Sequence, residues 1–334
     1  MRVLAVAATV FVATVTGAAQ SAPDARDAEA RAVTYLAAEV PKWRREHPCY
    51  SCHNNGDAVR ALLAAAGRGV GSGSATGSAM GNAIDDTLAW LATPERWDAN
   101  AGRGGSEDLP LGRIQFSSTL LSMVAFKRAP QEALDRAAAM LVGHQGADGS
   151  WRLSESQILG GATFYGTSLA TAMAHRVLAR ASTEAARMPR AKAAAWLRAA
   201  NVETVLDASA ILIGLERDVD APGVTQRRRA LETLKRGQGP DGGWGPYVTS
   251  QSEPFDTALA MLGLVAVRNV QDLAFAPYTE AELEQAIRRA RDYLIGSQLD
   301  EGSWPETTRP AGGESYAQRI STTAWALQAL LATE

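Results

Sequence analysis

Three short turns in this chain are copies of one another. They read "HQGADGSWRL", "GQGPDGGWGP" and "SQLDEGSWPE", and they place Gln145, Gln238 and Gln298 six residues before Trp151, Trp244 and Trp304, with an acidic-Gly pair between. Self-similarity of this kind constrains the fold more than local propensity does. A repeated unit that cannot bury its apolar face alone must stack against its neighbours. The tryptophans lie 93 and then 60 residues apart. The longer interval is close to two units and predicts a degenerate copy between Trp151 and Trp244. The stretch "AKAAAWLRAANVETVLDASAILIGLE" supplies it, with Asn201 and Val202 in place of the turn.

Before each turn runs a stretch such as "ALDRAAAMLVG", "RALETLKRG" or "AIRRARDYLIG", apolar at three- and four-residue spacing and charged on the other face. That pattern predicts surface helices. After each turn comes a more uniformly apolar stretch, "FYGTSLATAMAHRVLA", "FDTALAMLGLVAV" or "ISTTAWALQALLA", which predicts a helix buried on most sides. The alternation extends backwards through "ARAVTYLAAEVPKW" with "DAVRALLAAAG", and "AIDDTLAWLATPERW" with "IQFSSTLLSMVAF". The expected fold is all-α, a double-layered ring of about six helical hairpins. Two connections stand out, a Gly/Ser-rich "GRGVGSGSATGSAMGN" that reads as flexible and a long "DANAGRGGSEDLPLG". Neither reads as a domain boundary, so residues 28–334 are expected to form a single domain.

The Q-x-x-[DE]-G-[SG]-W turns resemble the QW repeats of squalene-hopene and oxidosqualene cyclases. The outer-inner pairing resembles the α/α toroid shared with protein prenyltransferase β-subunits. The resemblance implies an (α/α)6 ring in which the Gln and Trp of each turn are structural: Gln bonds free backbone groups near a helix end and Trp packs between hairpins. Such cyclases protonate an alkene with an Asp in a D-x-D-D-T-A motif at the start of an inner helix, and "EPFDTALAML" is the similar stretch here. Aligned on Asp256, Thr257 and Ala258, the first Asp becomes Glu253 and the protonating Asp becomes Phe255. A phenyl ring cannot donate a proton, so squalene cyclase activity is not expected. Asp256 then reads as a helix N-terminal residue that favours the dipole, and Asp85 with Asp86 as acids in a first helical turn. Prenyltransferase β-subunits bind zinc through separated Asp, Cys and His residues, and this chain has no second cysteine cluster for such a site.

The only two cysteines, Cys49 and Cys52, lie in "HPCYSCHNNG". A single vicinal pair is no disulfide framework for a chain of 334 residues, so its purpose is local. Cys49, Tyr50, Ser51, Cys52 and His53 fulfil the c-type haem attachment pattern C-x-x-C-H, in which two thiols form thioethers and the imidazole ligates iron. The expectation is one covalent haem c with His53 as the axial iron ligand. A local disulfide, zinc on His47, Cys49, Cys52 and His53, and a chance match stay open beside it. His47, Met80, Met123, His144 and His175 are the residues from which a sixth ligand could come.

Haem attachment of this kind occurs outside the cytoplasm, and the N-terminus agrees. Arg2, the apolar "VLAVAATVFVATV" and the small-residue "GAAQSA" read as a signal peptide over residues 1–21, for a periplasmic or secreted product. No later segment has the length and apolarity of a membrane span, so no transmembrane segment is expected after cleavage. A formal net charge of -3 without runs of one sign excludes an electrostatic footprint for nucleic acid. The expected partner is a redox protein or a small apolar molecule.

The haem motif occupies the place of a QW turn in the first hairpin, which puts it at the rim where inner helices start. Gln115, Tyr165, Asp207, Phe255, Asp256 and Ser321 lie at such starts and are candidates to line a central cavity. The leading expectation is an exported haem-binding toroid with an electron-transfer or redox role. The alternatives are a haem-free isoprenoid-binding or terpene cyclase-like protein, and a non-enzymatic interaction module with a C-x-x-C disulfide.

Overall fold

Outer and inner helices alternate along the chain as the hydrophobic pattern requires. The computed structural model describes residues 25–47, 49–71, 74–100, 108–153, 159–268, 277–307, 309 and 315–333, with the backbone alone at 74–80, 82 and 83. Among these residues there are α-helices and shorter helical turns, and no β-strand. The outer helices are α1 (Ala25–Glu46), α3 (Ser74–Leu91), α5 (Gln131–Val142), α7 (Arg187–Ala199), α9 (Ala221–Gly237) and α11 (Glu280–Ser297). The inner helices are α2 (Val59–Gly67), α4 (Leu109–Ala125), α6 (Gly166–Leu178), α8 (Val205–Gly214), α10 (Pro254–Arg268) and α12 (Tyr316–Ala332). A π-helical segment, Cys52–Ala58, runs directly into α2.

Burial separates the layers. α5 buries Ala133, Leu134, Ala137, Ala138 and Leu141, a one-sided stripe. α10 buries all but three of its fifteen residues. Each inner helix packs on the next, α2 to α4, α6, α8, α10 and α12, and α12 returns to pack on α2 and the π-helical segment. Six hairpins thus close a ring.

The three repeated turns share one geometry. Gln145 Nε2 donates to Gly149 O at 2.9 Å and to Pro189 O on the next outer helix at 2.8 Å. Gln238 does the same with Gly242 O and Ala286 O, and Gln298 with Gly302 O and Ala28 O. The last pair joins the final hairpin to α1. Trp151, Trp244 and Trp304 are fully buried, and their indole N–H groups donate to Leu141 O, Leu234 O and Leu294 O near the end of the preceding helix. Each Trp thus bonds a carbonyl in the last turn of the preceding helix while filling the wall between hairpins.

Two expectations are corrected. Residues 74–82 of the Gly/Ser-rich connection are helical, forming the first turns of α3. Gly costs a helix about 1 kcal/mol relative to Ala, but propensity is a weak prior and here α3 lies along α1. With the helix starting at Ser74, Asp85 and Asp86 fall in its middle and not in a first turn. Both are exposed; Asp85 pairs with Arg128 at 2.8 Å and Asp86 accepts from Tyr50 OH at 3.3 Å. The signal peptide and residues 101–107 of the long connection lie outside the described residues.

Candidate functional site

The segment between α1 and α2 is fastened from every side. Asn100 clamps the Tyr50 peptide, accepting from Tyr50 N at 2.9 Å and donating to Tyr50 O at 2.7 Å. The Tyr50 ring stacks on Trp90 with centroids 4.3 Å apart. Ser51 caps the π-helical segment, its Oγ accepting from His53 N and Asn54 N. Asn54 donates to Glu39 O and Tyr316 OH, and Asn55 to Thr87 Oγ1. Each polar residue of "YSCHNN" except the cysteine and histidine is therefore spent on the backbone or a neighbouring helix.

Cys49 and Cys52 are free thiols, 1% and 7% exposed. Burial, with Asp57 next in effect, pushes the Cys52 thiol up to about 12, so it stays protonated. Burial also holds His53 down at about 4, so its imidazole is neutral. The His53 Nδ1 lies 3.3 Å from Ser321 Oγ, and Ser321 donates to Asp57 Oδ2 at 2.9 Å. A serine hydroxyl has one proton, and Ser321 gives it to the carboxylate. It must then accept from Nδ1–H, which leaves Nε2 as the ring's lone-pair nitrogen. Nε2 lies 3.9 Å from Cys52 Sγ, on the sulfur side.

Asp57 is the hub of this cluster and is fully buried. It accepts from Tyr165 OH at 2.8 Å and pairs with Arg60 at 3.2 Å. Burial raises its pKa, while Arg60, Tyr165 and Ser321 oppose the rise. Tyr165 reaches it from a backbone with φ 56°, a left-handed conformation rare outside glycine, just ahead of α6. Arg60 lies over the Trp325 ring at 4.3 Å, and Tyr165 and Phe255 meet the same ring edge-on. Four residues singled out in the sequence, Cys52, His53, Tyr165 and Ser321, thus converge on one that was not. Asp57 lies four residues after His53, the spacing that puts two side chains on one helical face.

The remaining candidates divide. Phe255 is fully buried against Trp325. Gln115, two turns into α4, donates to Thr163 O at 3.0 Å, and its Oε1 is buried without a partner. Asp207 is spent on helix capping: it forms a capping box with Thr204 and accepts from Ser168 at 2.6 Å. Asp256 is fully buried, and both its oxygens accept from the single Nη2 of Arg309, at 2.9 and 3.0 Å. It is in the first turn of α10, but Arg309 binds its charge; sequence reasoning gave no hint of Arg309. Of the possible sixth ligands, Met123 is in the core, His144 contacts Arg113, His175 is bonded to the Gly214 backbone and His47 packs on Trp43. The Met80 side chain lies outside the described residues. Among the described residues, no three His, Cys, Asp or Glu side chains gather as a metal ion requires, so the zinc reading gains no support.

The cluster is no nucleophilic triad. In such a triad the base contacts the nucleophile and the carboxylate contacts the base. Here the carboxylate takes the serine proton directly, and the thiol beside the imidazole is held protonated. The arrangement orients an imidazole and turns its Nε2 to the Cys52 sulfur.

Solved structures resemble this chain across nearly its whole length. A protein from Actinoplanes superposes with a TM-score of 0.57 at 17% identity, over 93% of this chain and 99% of that one. A variant of the type II terpene cyclase MstE from Scytonema, bound to geranylgeranyl dihydroxybenzoate, gives 0.52 at 15% identity over 92% and 98%. A variant of unsaturated glucuronyl hydrolase from Streptococcus agalactiae gives 0.55 at 12% over 92% and 89%. The fold is an α/α toroid. No protein-family model matches the chain, and no curated protein does. At these identities the likeness carries the toroid and not the chemistry, since one fold hosts unrelated reactions.

Proposed function

We propose that this toroid carries one covalent c-type haem on Cys49 and Cys52, with His53 as an axial ligand, at the rim where the inner helices start. The observation that carries the reading is the state of His53. It is neutral, its Nδ1–H is held by Ser321 and Asp57, and its Nε2 lone pair lies on the side of the Cys52 sulfur. A metal-binding histidine is held in this way, with its second nitrogen donating into a fixed acceptor that sets tautomer and ring orientation. The donor set fits: two free thiols and one oriented imidazole at C-x-x-C-H spacing.

The packing bears on when the group arrives. Cys49, Cys52 and His53 would hold the group, and with both sulfurs covered by the chain its attachment would have to precede closure of the ring. When bound, the haem supplies a one-electron couple. The chain's own part is to hold the Nδ1 proton on Ser321, to neutralise Asp57 with Arg60 and Tyr165, and to keep water from the buried face of the imidazole. The reading also places the protein in the periplasm or outside the cell, with a redox protein as its partner.

A second reading is favoured by one observation. The interior beside Asp57 is walled by Tyr165, Phe255 and Trp325, and the terpene cyclase similar in fold holds a geranylgeranyl chain. A small, largely apolar molecule inside the ring would fit such a wall. Cyclisation by protonation from position 255 would not, because Phe255 has no proton to give.

The test is a pyridine haemochrome spectrum with intact mass on full-length protein exported through a cytochrome c maturation pathway. A thioether-haem spectrum and the added mass of one haem are expected, both lost in Cys52→Ala. Ser321→Ala should keep the covalent haem and change its axial-ligand spectrum. A colourless protein of unmodified mass overturns the reading and leaves the second one standing.

A further inference from the structure

Tyr165 is held in a backbone conformation that it would not adopt by itself. Its φ of 56° and ψ of -44°, with Gly166 N donating to Phe164 O at 2.5 Å, make a γ-turn of the rare, strained hand. Gly160 and Gly166 also have φ of 74°. Such a backbone persists only where its surroundings over-determine it. The loop from Gly160 to Gly166 closes on itself. Tyr165 N donates to Gly161 O at 2.9 Å, and a Cβ built on Gly160 would sit 2.5 Å from Tyr165 O.

Two side chains from other hairpins pin this loop. Gln115 of α4 donates to Thr163 O at 3.0 Å, and Arg309 donates from Nε to Gly160 O at 3.2 Å. Arg309 is itself firmly placed. Its Nη2 bonds both oxygens of Asp256 on α10, and its own carbonyl accepts from Gln318 Nε2 on α12 at 2.6 Å and from Thr307 Oγ1 at 2.9 Å. One side chain thus ties α10 and the last hairpin to the loop ahead of α6. Arg suits the task, because its donors are spread over a rigid plane and can serve a carboxylate and a carbonyl at once; Lys offers a single ammonium. At the other end of the loop, Tyr165 OH donates to Asp57 Oδ1 at 2.8 Å, and Ser321 joins Asp57 Oδ2 to His53 Nδ1. Contacts are continuous from Arg309 to the imidazole.

We propose that Arg309 is a positioning residue for His53. By holding Gly160 it keeps the Tyr165 turn in its strained form, and the phenol then fixes the Asp57 carboxylate that sets, through Ser321, the proton on Nδ1. The strain gives the link its direction: with Gly160 released, the turn relaxes, the phenol leaves Asp57, and the carboxylate is free to rotate away from Ser321. Partners of this kind, one step removed from a ligating imidazole, decide its tautomer and orientation. The purpose of the link rests on His53 being an axial ligand, as proposed above; its geometry does not.

The test is nitrogen-15 NMR of the histidine rings in full-length protein made without export, so that no haem is attached. The chain has four histidines, and His53→Gln identifies the His53 signals. The unaltered protein should show one His53 tautomer, with the proton on Nδ1. Arg309→Lys keeps a positive charge beside Asp256, so its fold should survive, but the ammonium cannot span the carboxylate and Gly160 O together. Its His53 should show both tautomers in exchange. Tyr165→Phe should do the same, and the two changes combined should go no further than either alone, as expected of residues acting in one chain. Gln298→Leu, a purely structural change at another turn, should leave the tautomer as it was. If Arg309→Lys does not fold, Gly160→Ala, whose methyl displaces Tyr165 O, carries the same expectation. A mixed tautomer in the unaltered protein, or a single Nδ1–H tautomer kept in the folded Arg309→Lys or Gly160→Ala variant, overturns the proposal. Failure to take up haem changes none of these spectra, so the two readings fail separately.

Discussion

The Asp256 carboxyl is surrounded by protein, and that sets how it responds to pH. Burial pushes its pKa up from 3.8 to about 6, with Glu253 adding to the rise and Arg309 opposing it. A native pKa above the unfolded value means that the folded chain holds the proton more tightly. The group's contribution to stability is therefore complete below about pH 4 and is lost as pH rises through about 6, at up to about 1.4 kcal/mol per unit. His175, held at about 4 by burial, has the opposite sign: it withdraws stability as pH falls from 6.5 towards 4. The two effects oppose each other in the whole protein, so the clean observable is a difference. Urea unfolding at pH 4, 5, 6 and 7 should show the stability of the unaltered protein, relative to Asp256→Asn, falling as pH rises. A difference that is flat, or that grows with pH, would mean that the Arg309 ion pair outweighs burial.

The turns are the elements on which the ring depends, and glycine decides them. Gly302 has φ 96°, and a Cβ built there would sit 2.5 Å from Arg31 O on α1. Gly149 and Gly242 face Lys192 O and Arg289 O of the next outer helix in the same way. Gly296, a turn earlier near the end of α11, is exposed and would meet nothing within 4 Å. Gly302→Ala should therefore destabilise by more than about 1 kcal/mol, from strain and from the backbone it displaces. Gly296→Ala should stabilise by about 0.4–1 kcal/mol, through the unfolded chain. Chemical denaturation of the pair checks both signs. These elements were legible in the sequence because Gln, Gly and Trp do the same local work three times within seven residues. The cluster around Asp57 was legible only in part. Tyr165 and Ser321 stand out at inner-helix starts, but Asp57 carries only a four-residue offset from His53, a spacing too common in helices to single it out. Arg309 was invisible for another reason: it lies in an aperiodic connection, and its partners Asp256 and Gly160 are 53 and 149 residues away in sequence.

Closure is a property of the whole ring, and two glutamines measure it. Gln238 ties an internal turn to the following outer helix, through Ala286 O at 2.9 Å; Gln298 ties the last turn to the first helix, through Ala28 O at 2.8 Å. Each also donates to its own turn glycine, so Gln→Leu removes the same pair of donated bonds at the two sites. In an open stack of repeats the terminal unit frays, and a change at the end costs less than the same change inside. A closed ring has no end. Breaking either glutamine's pairs takes a donor from a buried turn carbonyl, Gly242 O or Gly302 O, at about 1–3 kcal/mol. Gln298→Leu and Gln238→Leu should therefore destabilise alike, within about 0.5 kcal/mol, the margin within which independent sites usually behave additively. Urea midpoints with unchanged slopes would give the comparison directly. A markedly smaller cost at Gln298 would mean that the seam between α11 and α1 opens before the rest unfolds, and that the molecule behaves as a solenoid whose ends merely touch.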